Sequence, residues 1–554
     1  MLGNPKSVVE PPIEPPLPLG NRSNGEYFHT QTDRERAIRG LALQKADELS
    51  RRHGVDRREF LASTAGVATT LWAINVISGC GDDSGAVGMG QGSGATTGGS
   101  YTTGTSGGGG ASSGAGSTGG LDETGSGLDE STDTGLAEDC VPLPEDREFI
   151  FDVQTHHVNP DGAWRDTNPT YADFFAGLPY ASCGLEALQC FSVDQYIEQM
   201  FLDSDTAVAV LSGLPATMCG GGQMTGCGNP ITNDEIAQTR EIVNALAYSE
   251  RSVNHVMITP NVDLPLQMDL MQNMVESVGV GGWKCYPPWG PNGVGWWLDD
   301  PRTGIPFIEH GRSLGVKTFC IHKGLPLPGF DGTHTDPRDV GVVAAMFPDC
   351  NFIVYHSAWL HGGVGNGEGP YDPDGIYDPA NPALYPVTQG VNSLIQAVAD
   401  AGLGEGSNVY AELGSLWTNL MAYPDQAAHV LGKLMKHLGP NNIVWGTDAI
   451  WTGSPQPLIE AFRAFEISAA FQETYEYPAL DDVAKRRIFG LNAAALFGID
   501  PEATRCEVST DPMGMAKRQL DAELGARRWV GRPAPGPRTR REFVRLASLQ
   551  DGPG

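Results

Sequence analysis

Short apolar runs recur at regular spacing through residues 149–449, and most are followed by segments with helix-like periodicity. The apolar runs predict β-strands, and the periodic segments predict amphipathic helices. Strands are expected at Phe149–His157, Thr206–Leu214, Val253–Leu264, Val280–Trp289, Val316–Lys323, Asn351–Ala358, Asn408–Ser415 and Asn442–Ala449. Helices are expected at Asn233–Ala247, Pro265–Ser277, Ile305–Leu314, Asp339–Phe347, Leu394–Ala401, Asp425–Leu438 and Pro457–Phe471.

Alternation of strands and helices predicts parallel pairing, because parallel neighbours need a crossover connection. Eight such units over roughly 350 residues predict an α/β fold, a (β/α)8 TIM barrel. An open doubly wound sheet is the alternative. Long loops are expected after strand 4 and after strand 6, and a long loop is typical of a lid or binding element. No GxGxxG turn opens a helix, so dinucleotide binding is not supported.

Composition divides the chain, whose 554 residues carry a formal net charge of −31, into four parts. Residues 1–80 carry +1, residues 81–139 carry −9, residues 140–500 carry −26 and residues 501–554 carry +3. Such acidity argues against nucleic acid as a partner, since a binder of phosphates needs a basic footprint. We expect one barrel domain at 140–500. The basic segment 501–554, interrupted by Pro and Gly, predicts a disordered tail.

The N-terminal part, residues 1–80, contains a candidate targeting signal. Arg57 and Arg58 precede an uncharged run that ends at Cys80. The arginine pair resembles a twin-arginine export signal, and the segment 77–80 resembles a lipobox, whose cysteine becomes lipidated. A buried or transmembrane helix is the alternative. The resemblance implies a membrane-anchored lipoprotein, exported by the twin-arginine route and periplasmic or at the cell surface. Residues 81–139, rich in Gly, Ser and Thr, predict a flexible linker, and we expect disorder there and in the N-terminal region.

Cysteine usage fits an exported protein, in which disulfides can form. Nine cysteines follow Cys80, so at least one thiol is unpaired. Local pairs are expected for Cys183 with Cys190 and for Cys219 with Cys227, and buried thiols for Cys285, Cys320 and Cys350.

Polar side chains stand at the C-terminal ends of four of the predicted strands. In a barrel, the C-terminal ends of the strands meet at the face where chemistry takes place. His156, His322, His356 and Asp448 stand at the ends of strands 1, 5, 6 and 8. A single histidine at a strand end is more often structural. Three histidines and one aspartate at the ends of four strands favour a metal site instead, because imidazole and carboxylate suit zinc, iron or manganese. His157 should face the opposite side of its strand, so we expect it to be structural.

Residues 145–500 resemble the amidohydrolase superfamily, in particular the amidohydrolase-related group that includes aminocarboxymuconate-semialdehyde decarboxylase and the resorcylate decarboxylases. The resemblance is carried by Asp152-x-Gln154-x-His156, His322, His356, Gly446-Thr447-Asp448 and the closing segment 485–498. It implies one divalent metal ion, zinc rather than manganese, with ligands drawn from Gln154, His156, His322 and Asp448. It further implies that Asp448 ligates the metal or accepts a proton from bound water, and that His356 polarises a carbonyl or shuttles a proton.

The chain departs from this group at Gln154. The group usually has histidine there, and the neutral carbonyl of glutamine is a weaker ligand than imidazole or carboxylate. The metal could instead bind His156, His322 and Asp448 with water completing the shell, or the site could be inactive. In binuclear members a lysine on strand 4 is carboxylated. The equivalent here is Lys284, which could also contact a substrate anion or pair with Glu412.

The substrate is expected to be a small molecule that contacts Lys284, Tyr286, Trp289 and Glu412. Tryptophans after strand 4 favour an apolar or aromatic compound. Three functions stay open: a metal-dependent hydrolase of an amide, ester or lactone, a metal-dependent carboxy-lyase, and an anchored barrel that binds without turnover. Basic groups are few at the strand ends, which favours hydrolysis. An oligomer is compatible with the sequence.

Overall fold

The structure, a computed structural model, describes residues 33–53, 56–61, 69, 73, 148–215, 228–327, 329–360, 375–525 and 536–550. The chain divides into two units, one comprising residues 1–79 and 138–554 and the other residues 80–137. The second unit, which contains most of the expected linker, lies outside the described residues.

Eight parallel strands form one sheet in sequential order. They are β1 (Ile150–Thr155), β2 (Thr206–Leu211), β3 (Ser252–Met257), β4 (Gly282–Cys285), β5 (Thr318–His322), β6 (Asn351–Tyr355), β7 (Val409–Glu412) and β8 (Ile443–Val444). The sheet closes because the Val153 amide donates to the Trp445 carbonyl at 3.0 Å and Thr155 forms a parallel bridge with Ala449. This closure confirms the TIM barrel and excludes the open doubly wound sheet.

Helices follow the strands where the periodicity predicts them. Those around the barrel are Asn233–Ala247, Leu264–Ser277, Gly304–Ser313, Arg338–Met346, Gly390–Asp400, Pro424–His437 and Gln456–Ala464. Shorter turns of helix lie at Pro291–Gly293, Gly332–Thr335, His356–Ala358, Leu416–Leu420, Pro440–Asn442, Ala469–Tyr475, Asp482–Arg486, Arg487–Leu491 and Asn492–Phe497. The first long helix begins at a capping box, in which the Thr232 hydroxyl accepts from the Glu235 amide and the Glu235 carboxylate accepts from the Thr232 amide.

An insertion that the periodicity did not predict joins β1 to β2. Its short helices are Trp164–Thr167, Pro169–Ala176, Pro179–Ser182, Ala187–Phe191, Val193–Ile197 and Glu198–Leu202. The expected disulfide between Cys183 and Cys190 is confirmed within it. Cys285, Cys320 and Cys350 are buried free thiols, also as expected. Cys219 and Cys227 lie outside the described residues.

Apolar side chains fill the inside of the barrel toward the N-terminal ends of the strands. Phe151, Val210, Ile353 and Val444 are fully buried there. The ring of Phe497, from the helix that follows β8, packs 5.4 Å from that of Phe151. Polar side chains therefore collect toward the other end of the barrel, at the C-terminal ends of the strands.

The prediction of a disordered C-terminal tail was wrong for much of residues 501–554. Helices lie at Pro501–Thr510, Pro512–Leu524 and Arg540–Gln550. Proline starts two of these helices instead of breaking them, because Asp500 and Asp511 cap the N-termini just before it. Asp511 also forms a buried ion pair at 3.1 Å with Arg251, the residue just before β3, which ties the segment to the barrel.

Part of the N-terminal region is also helical, contrary to the predicted disorder. Helices lie at Asp33–His53 and Arg57–Leu61, and the Arg57 guanidinium donates to the Leu43 carbonyl at 3.1 Å. The Arg58 amide donates to the Asp56 carboxylate at 2.8 Å. Cys80 lies outside the described residues. Among the helices described, none has both the length and the apolar character that crossing a membrane requires.

Candidate active site

Five side chains from different parts of the barrel meet at the C-terminal end of the strands. The side-chain nitrogen Nε2 of Gln154 donates to Asp448 Oδ1 at 3.0 Å and lies 3.5 Å from His356 Nε2. His156 Nε2 lies 3.1 Å from Asp448 Oδ1, and His356 Nε2 lies 3.2 Å from His322 Nδ1. The four residues that the strand ends predict, together with Gln154, therefore form one buried cluster.

Asp152 holds the two strand ends that carry Gln154 and Asp448. Its Oδ1 accepts from the amides of Gln154 and Thr447, each at 3.1 Å, and its Oδ2 accepts from the Thr447 hydroxyl. Burial raises the pKa of Asp152 to about 7. The pairing register of β1 with β2 shifts between Asp152 and Thr155, an irregularity that is common beside active sites. Asp152 is thus a positioning residue for the cluster.

Strained backbone collects at the ends of three strands. His356, Ser357 and Ala358 have φ of 63°, 51° and 58°, Ser415 has 54° and Asp448 has 58°. These residues are not glycine, so each left-handed conformation costs on the order of 1–3 kcal/mol and persists only where the surroundings hold it. Such strain clusters at functional sites.

Each histidine of the cluster has one ring nitrogen bound to a backbone carbonyl. His156 and His356 use Nδ1 and His322 uses Nε2. The acceptors are the carbonyl oxygens of Ser212 at 2.8 Å, Leu325 at 3.2 Å and Gly414 at 2.7 Å. A carbonyl only accepts, so these nitrogens carry a proton. In the neutral rings of His322 and His356 the other nitrogen turns a lone pair toward the cluster, whereas His156 Nε2 contacts the Asp448 carboxylate. This arrangement is typical of histidines that bind metals.

The facing nitrogens of His322 and His356 have no proton to share when both rings are neutral. Burial lowers the pKa of both, that of His356 to about 4, so neutral rings are expected at pH 7. The carbonyl oxygen of Gln154 is buried and has no hydrogen-bond partner within the described part of the chain. These lone pairs suit a cation, and the donor chemistry fits a divalent metal. As the side chains stand, however, the described residues contain no group of three His, Cys, Asp or Glu placed to hold a metal ion.

Asp448 is held in its ionised form. Burial raises its pKa, but hydrogen bonds from His156 and the Ser415 hydroxyl outweigh burial, and the pKa lies well below the usual 3.8. The ring of Trp451 stacks on that of His156 with centroids 5.6 Å apart. No role is predicted from sequence for Ser415 or Trp451. The position of Ser415, a polar residue at the end of predicted strand 7, was an available signal.

Lys284 and Tyr286 lie beside the imidazoles. The Lys284 amine is fully buried and has no hydrogen-bond partner among the described residues, and it lies 3.5 Å from the ring centre of Tyr355. Burial lowers its pKa to about 8. The Tyr286 ring stacks on that of His322 at 5.2 Å. Trp289 packs in the same apolar cluster as Tyr286. Aromatic faces therefore surround both the lysine and one side of the site.

Glu412 does not form the ion pair with Lys284 that was one of the expected alternatives. Its Oε2 accepts from the His356 amide at 2.9 Å, and its Oε1 accepts from the Gly414 amide. Burial raises the pKa of this carboxyl group well above the usual 4.5. Both oxygens are thus directed at backbone. The contacts make Glu412 a positioning residue for His356, and the contact with substrate predicted for it stays a prediction.

His157 and Lys323 lie apart from the cluster. His157 Nε2 contacts the Thr239 hydroxyl at 2.9 Å, which agrees with the structural role expected for it. Lys323 forms a fully buried ion pair with Asp339 at 2.8 Å and also donates to two loop carbonyls. Lys284 is therefore the basic side chain that remains for a substrate anion among the described strand ends.

The amidohydrolase family matches residues 238–499, just under half of the chain. This match supports a place for the barrel in the amidohydrolase superfamily, whose related group consists of metal-dependent enzymes. No curated protein matches the chain.

Solved structures with a similar course of the chain share little sequence with it. A 2,6-dihydroxybenzoate decarboxylase from Rhizobium is 15% identical, with 64% of this chain and 99% of that chain covered and a TM-score of 0.35. A 5-carboxyvanillate decarboxylase from Novosphingobium aromaticivorans with bound manganese is 13% identical, with coverage of 65% and 100% and a TM-score of 0.38. A 4-oxalomesaconate hydratase from Rhodopseudomonas palustris is 14% identical, with coverage of 69% and 99% and a TM-score of 0.37. Structural similarities this weak do not support an inference about the reaction.

Proposed function

We propose that the protein is a metal-dependent hydrolase of the amidohydrolase-related group that cleaves an amide, an ester or a lactone. The observation that carries the proposal is the set of three imidazoles, each fixed by a backbone carbonyl, whose remaining nitrogens converge with Asp448. The family match supports the metal-dependent class.

His156, His322 and Asp448 would hold one divalent ion. Gln154 would join them if its side-chain amide flipped, so that the carbonyl oxygen took the place of the nitrogen. Imidazole with carboxylate suits zinc better than a hard ion such as magnesium, and we expect zinc rather than manganese. When bound, such an ion supplies a Lewis acid and lowers the pKa of a coordinated water to about 7.

Asp448 and His356 would move the protons. The low pKa of Asp448 keeps it ionised at neutral pH, so its carboxylate can accept a proton from the nucleophile. The Gly414 carbonyl holds the His356 ring with Nε2 directed into the cluster, where it can orient the substrate carbonyl or pass a proton to the leaving group. The aromatic faces of Tyr286 and Trp289 suit an apolar or aromatic substrate.

A carboxy-lyase is the second candidate, and Lys284 is the observation that favours it. A buried amine without a hydrogen-bond partner is suited to meet a substrate carboxylate. The carboxy-lyase ranks second because Lys323 forms an ion pair with Asp339. Lys284 is then the one basic group among the described strand ends that remains to bind a substrate carboxylate. A barrel that binds without turnover is the third candidate, and the weak donor Gln154 is its basis.

The full-length protein, loaded with zinc or with manganese, should be screened against lactones, amides, esters and aromatic acids. We expect hydrolysis, lost in Asp448→Asn and retained in His157→Ala. Release of carbon dioxide from an aromatic acid would replace the hydrolase by the carboxy-lyase. Saturable binding without turnover of any compound would support the third candidate.

For localisation, we propose export by the twin-arginine route and anchoring through a lipid on Cys80. The support is in the sequence, namely the Arg57-Arg58 pair and the segment that ends at Cys80. Labelling of cells with a radioactive fatty acid should mark the native protein but not Cys80→Ala. Replacement of both arginines by lysine should leave the precursor in the cytoplasm, and unchanged fractionation would contradict the proposal.

A further inference from the structure

A cavity lies at the opposite end of the barrel from the histidine cluster. It is lined by residues at the starts of four consecutive strands, including Ser252 on β3, Gly281 just before β4, Thr318 on β5 and Asn351 on β6. Its volume is about 430 Å³, within the range of about 300–1,000 Å³ that is typical of small-molecule sites. In a TIM barrel the N-terminal end of the strands does not carry the chemistry, so a ligand here would bind without being converted.

Two cationic side chains line this cavity. Arg240 Nη1 donates to Asn254 Oδ1 at 3.1 Å, and the guanidinium forms no ion pair with a carboxylate of the described residues. Lys317 is the second cation, paired with the exposed Asp349 at 3.0 Å. Glu250, which is exposed, is the one carboxylate in the described lining. Since the body of this protein is strongly acidic, an unpaired guanidinium inside a cavity indicates a site for an anion.

A buried hydroxyl in the same lining is an independent indication of a ligand. Ser252 is 2% exposed, and its Oγ has no hydrogen-bond partner within the described part of the chain. A buried polar group left unpaired costs about 1–3 kcal/mol. An oxygen of a bound molecule would accept its hydrogen bond and remove that cost once the hydroxyl, which solvent does not reach as the side chain stands, turned toward the cavity.

Part of the remaining lining is apolar, beside the polar side chains of Asn244, Asn254, Thr318 and Asn351. Leu496, Phe497 and Ile499 line the cavity from the segment that follows β8. The Phe497 ring stacks on His255 at 5.7 Å and packs against Phe151, so the apolar wall is continuous with the barrel interior. A ligand that fits both halves of the lining has an acidic group and an apolar body.

We infer that this cavity is a binding site for a small organic carboxylate with an apolar body, separate from the candidate active site. The carboxylate is placed at the Arg240 guanidinium, with the Ser252 hydroxyl donating to it and Lys317 adding positive charge. The apolar body lies against Phe497 and its neighbours.

The test is a titration of the full-length protein with 4-fluorobenzoate followed by ¹⁹F NMR. It is carried out in the His356→Ala background, to weaken binding of the probe at the candidate active site. We expect saturable binding that Arg240→Gln weakens at least tenfold and Ser252→Ala at least threefold. Arg240→Lys keeps the charge and should retain most of the affinity. Arg302→Gln, which removes an exposed arginine outside the cavity lining, is the matched control and should change nothing.

The neutral isostere 4-fluorobenzamide should bind at least tenfold more weakly than the carboxylate. Equal binding by the parent and Arg240→Gln, equal binding of acid and amide, or no saturable binding of the acid would each overturn the inference. Thermal melts show whether each variant is folded. If Arg240→Gln does not fold, the comparison of acid with amide and the Ser252→Ala variant decide the outcome. Neither metal content nor turnover is measured, so this test is independent of the proposed function.

Discussion

His356 Nε2 lies 3.2 Å from His322 Nδ1, while the other nitrogen of each ring donates to a backbone carbonyl. Two neutral imidazoles in this arrangement direct lone pairs at each other. The contact is stabilised if the two rings share a proton or if a metal ion binds the His322 lone pair, and burial opposes the proton. This relationship is the physical basis for the metal-dependent function that we propose.

Replacement of Lys284 by methionine should raise the free energy of unfolding at pH 7 by up to about 3 kcal/mol. Burial lowers the pKa of this amine from 10.5 to about 8, and each unit corresponds to about 1.4 kcal/mol. Below pH 8 both folded and unfolded chains carry the proton, so the native protein bears the full cost. Between pH 8 and 10.5 the unfolded chain holds a proton that the folded chain has released, so native stability rises.

The advantage of Lys284→Met should therefore shrink as the pH rises from 8 toward 10.5. Urea unfolding at pH 7 and at pH 9.5, with chelator present to remove metal ions, measures both quantities. Equal stability of the two proteins at pH 7, or an advantage that grows with pH, would show that the amine is not held at a cost.

Gln154→His should tighten zinc binding at least tenfold. An imidazole replaces a neutral amide oxygen, which is the weaker donor, at a position that already contacts Asp448 and His356. Competition with a chromophoric chelator gives the dissociation constants. Gln154→Ala is the comparison and should bind zinc no more tightly than the native protein. Tighter binding by Gln154→Ala would mean that this position opposes the metal.

Gly414→Ala should damage the site, because a Cβ at this position would overlap Oε1 of both Gln154 and Glu412. Overpacking of this kind costs about 1–3 kcal/mol, and here it would also displace the carbonyl that orients His356. Loss of turnover and a lower melting temperature are expected. Gly404→Ala is the matched control, since a Cβ there meets no atom within 4 Å. Equal effects of the two substitutions would contradict the account of the glycine.

The sequence predicts the barrel because each strand and crossover helix has its own local pattern. All eight strands and the helix Asn233–Ala247 lie where periodicity places them. The chemistry of the site was predictable for a related reason, since strand order brings residues such as His322 and His356 to one end of the barrel.

Other features depend on tertiary contacts that no local pattern encodes. The tail was predicted to be disordered from its Pro and Gly content, but aspartate caps and the ion pair of Asp511 with Arg251 hold part of it in helices. The role of Glu412 was also out of reach, because its partners are backbone amides of His356 and Gly414 rather than a charged side chain.

Metal content tests the central claim most directly. The full-length protein should be incubated with zinc or manganese, freed of excess ion and analysed for metal by elemental analysis, alongside His322→Ala and His157→Ala. We predict close to one equivalent, and not less than a substantial fraction of one, in the native protein and in His157→Ala, whose ring binds Thr239 outside the cluster. His322→Ala should lose most of the metal. Absence of metal from the native protein after incubation with either ion would contradict both enzyme hypotheses.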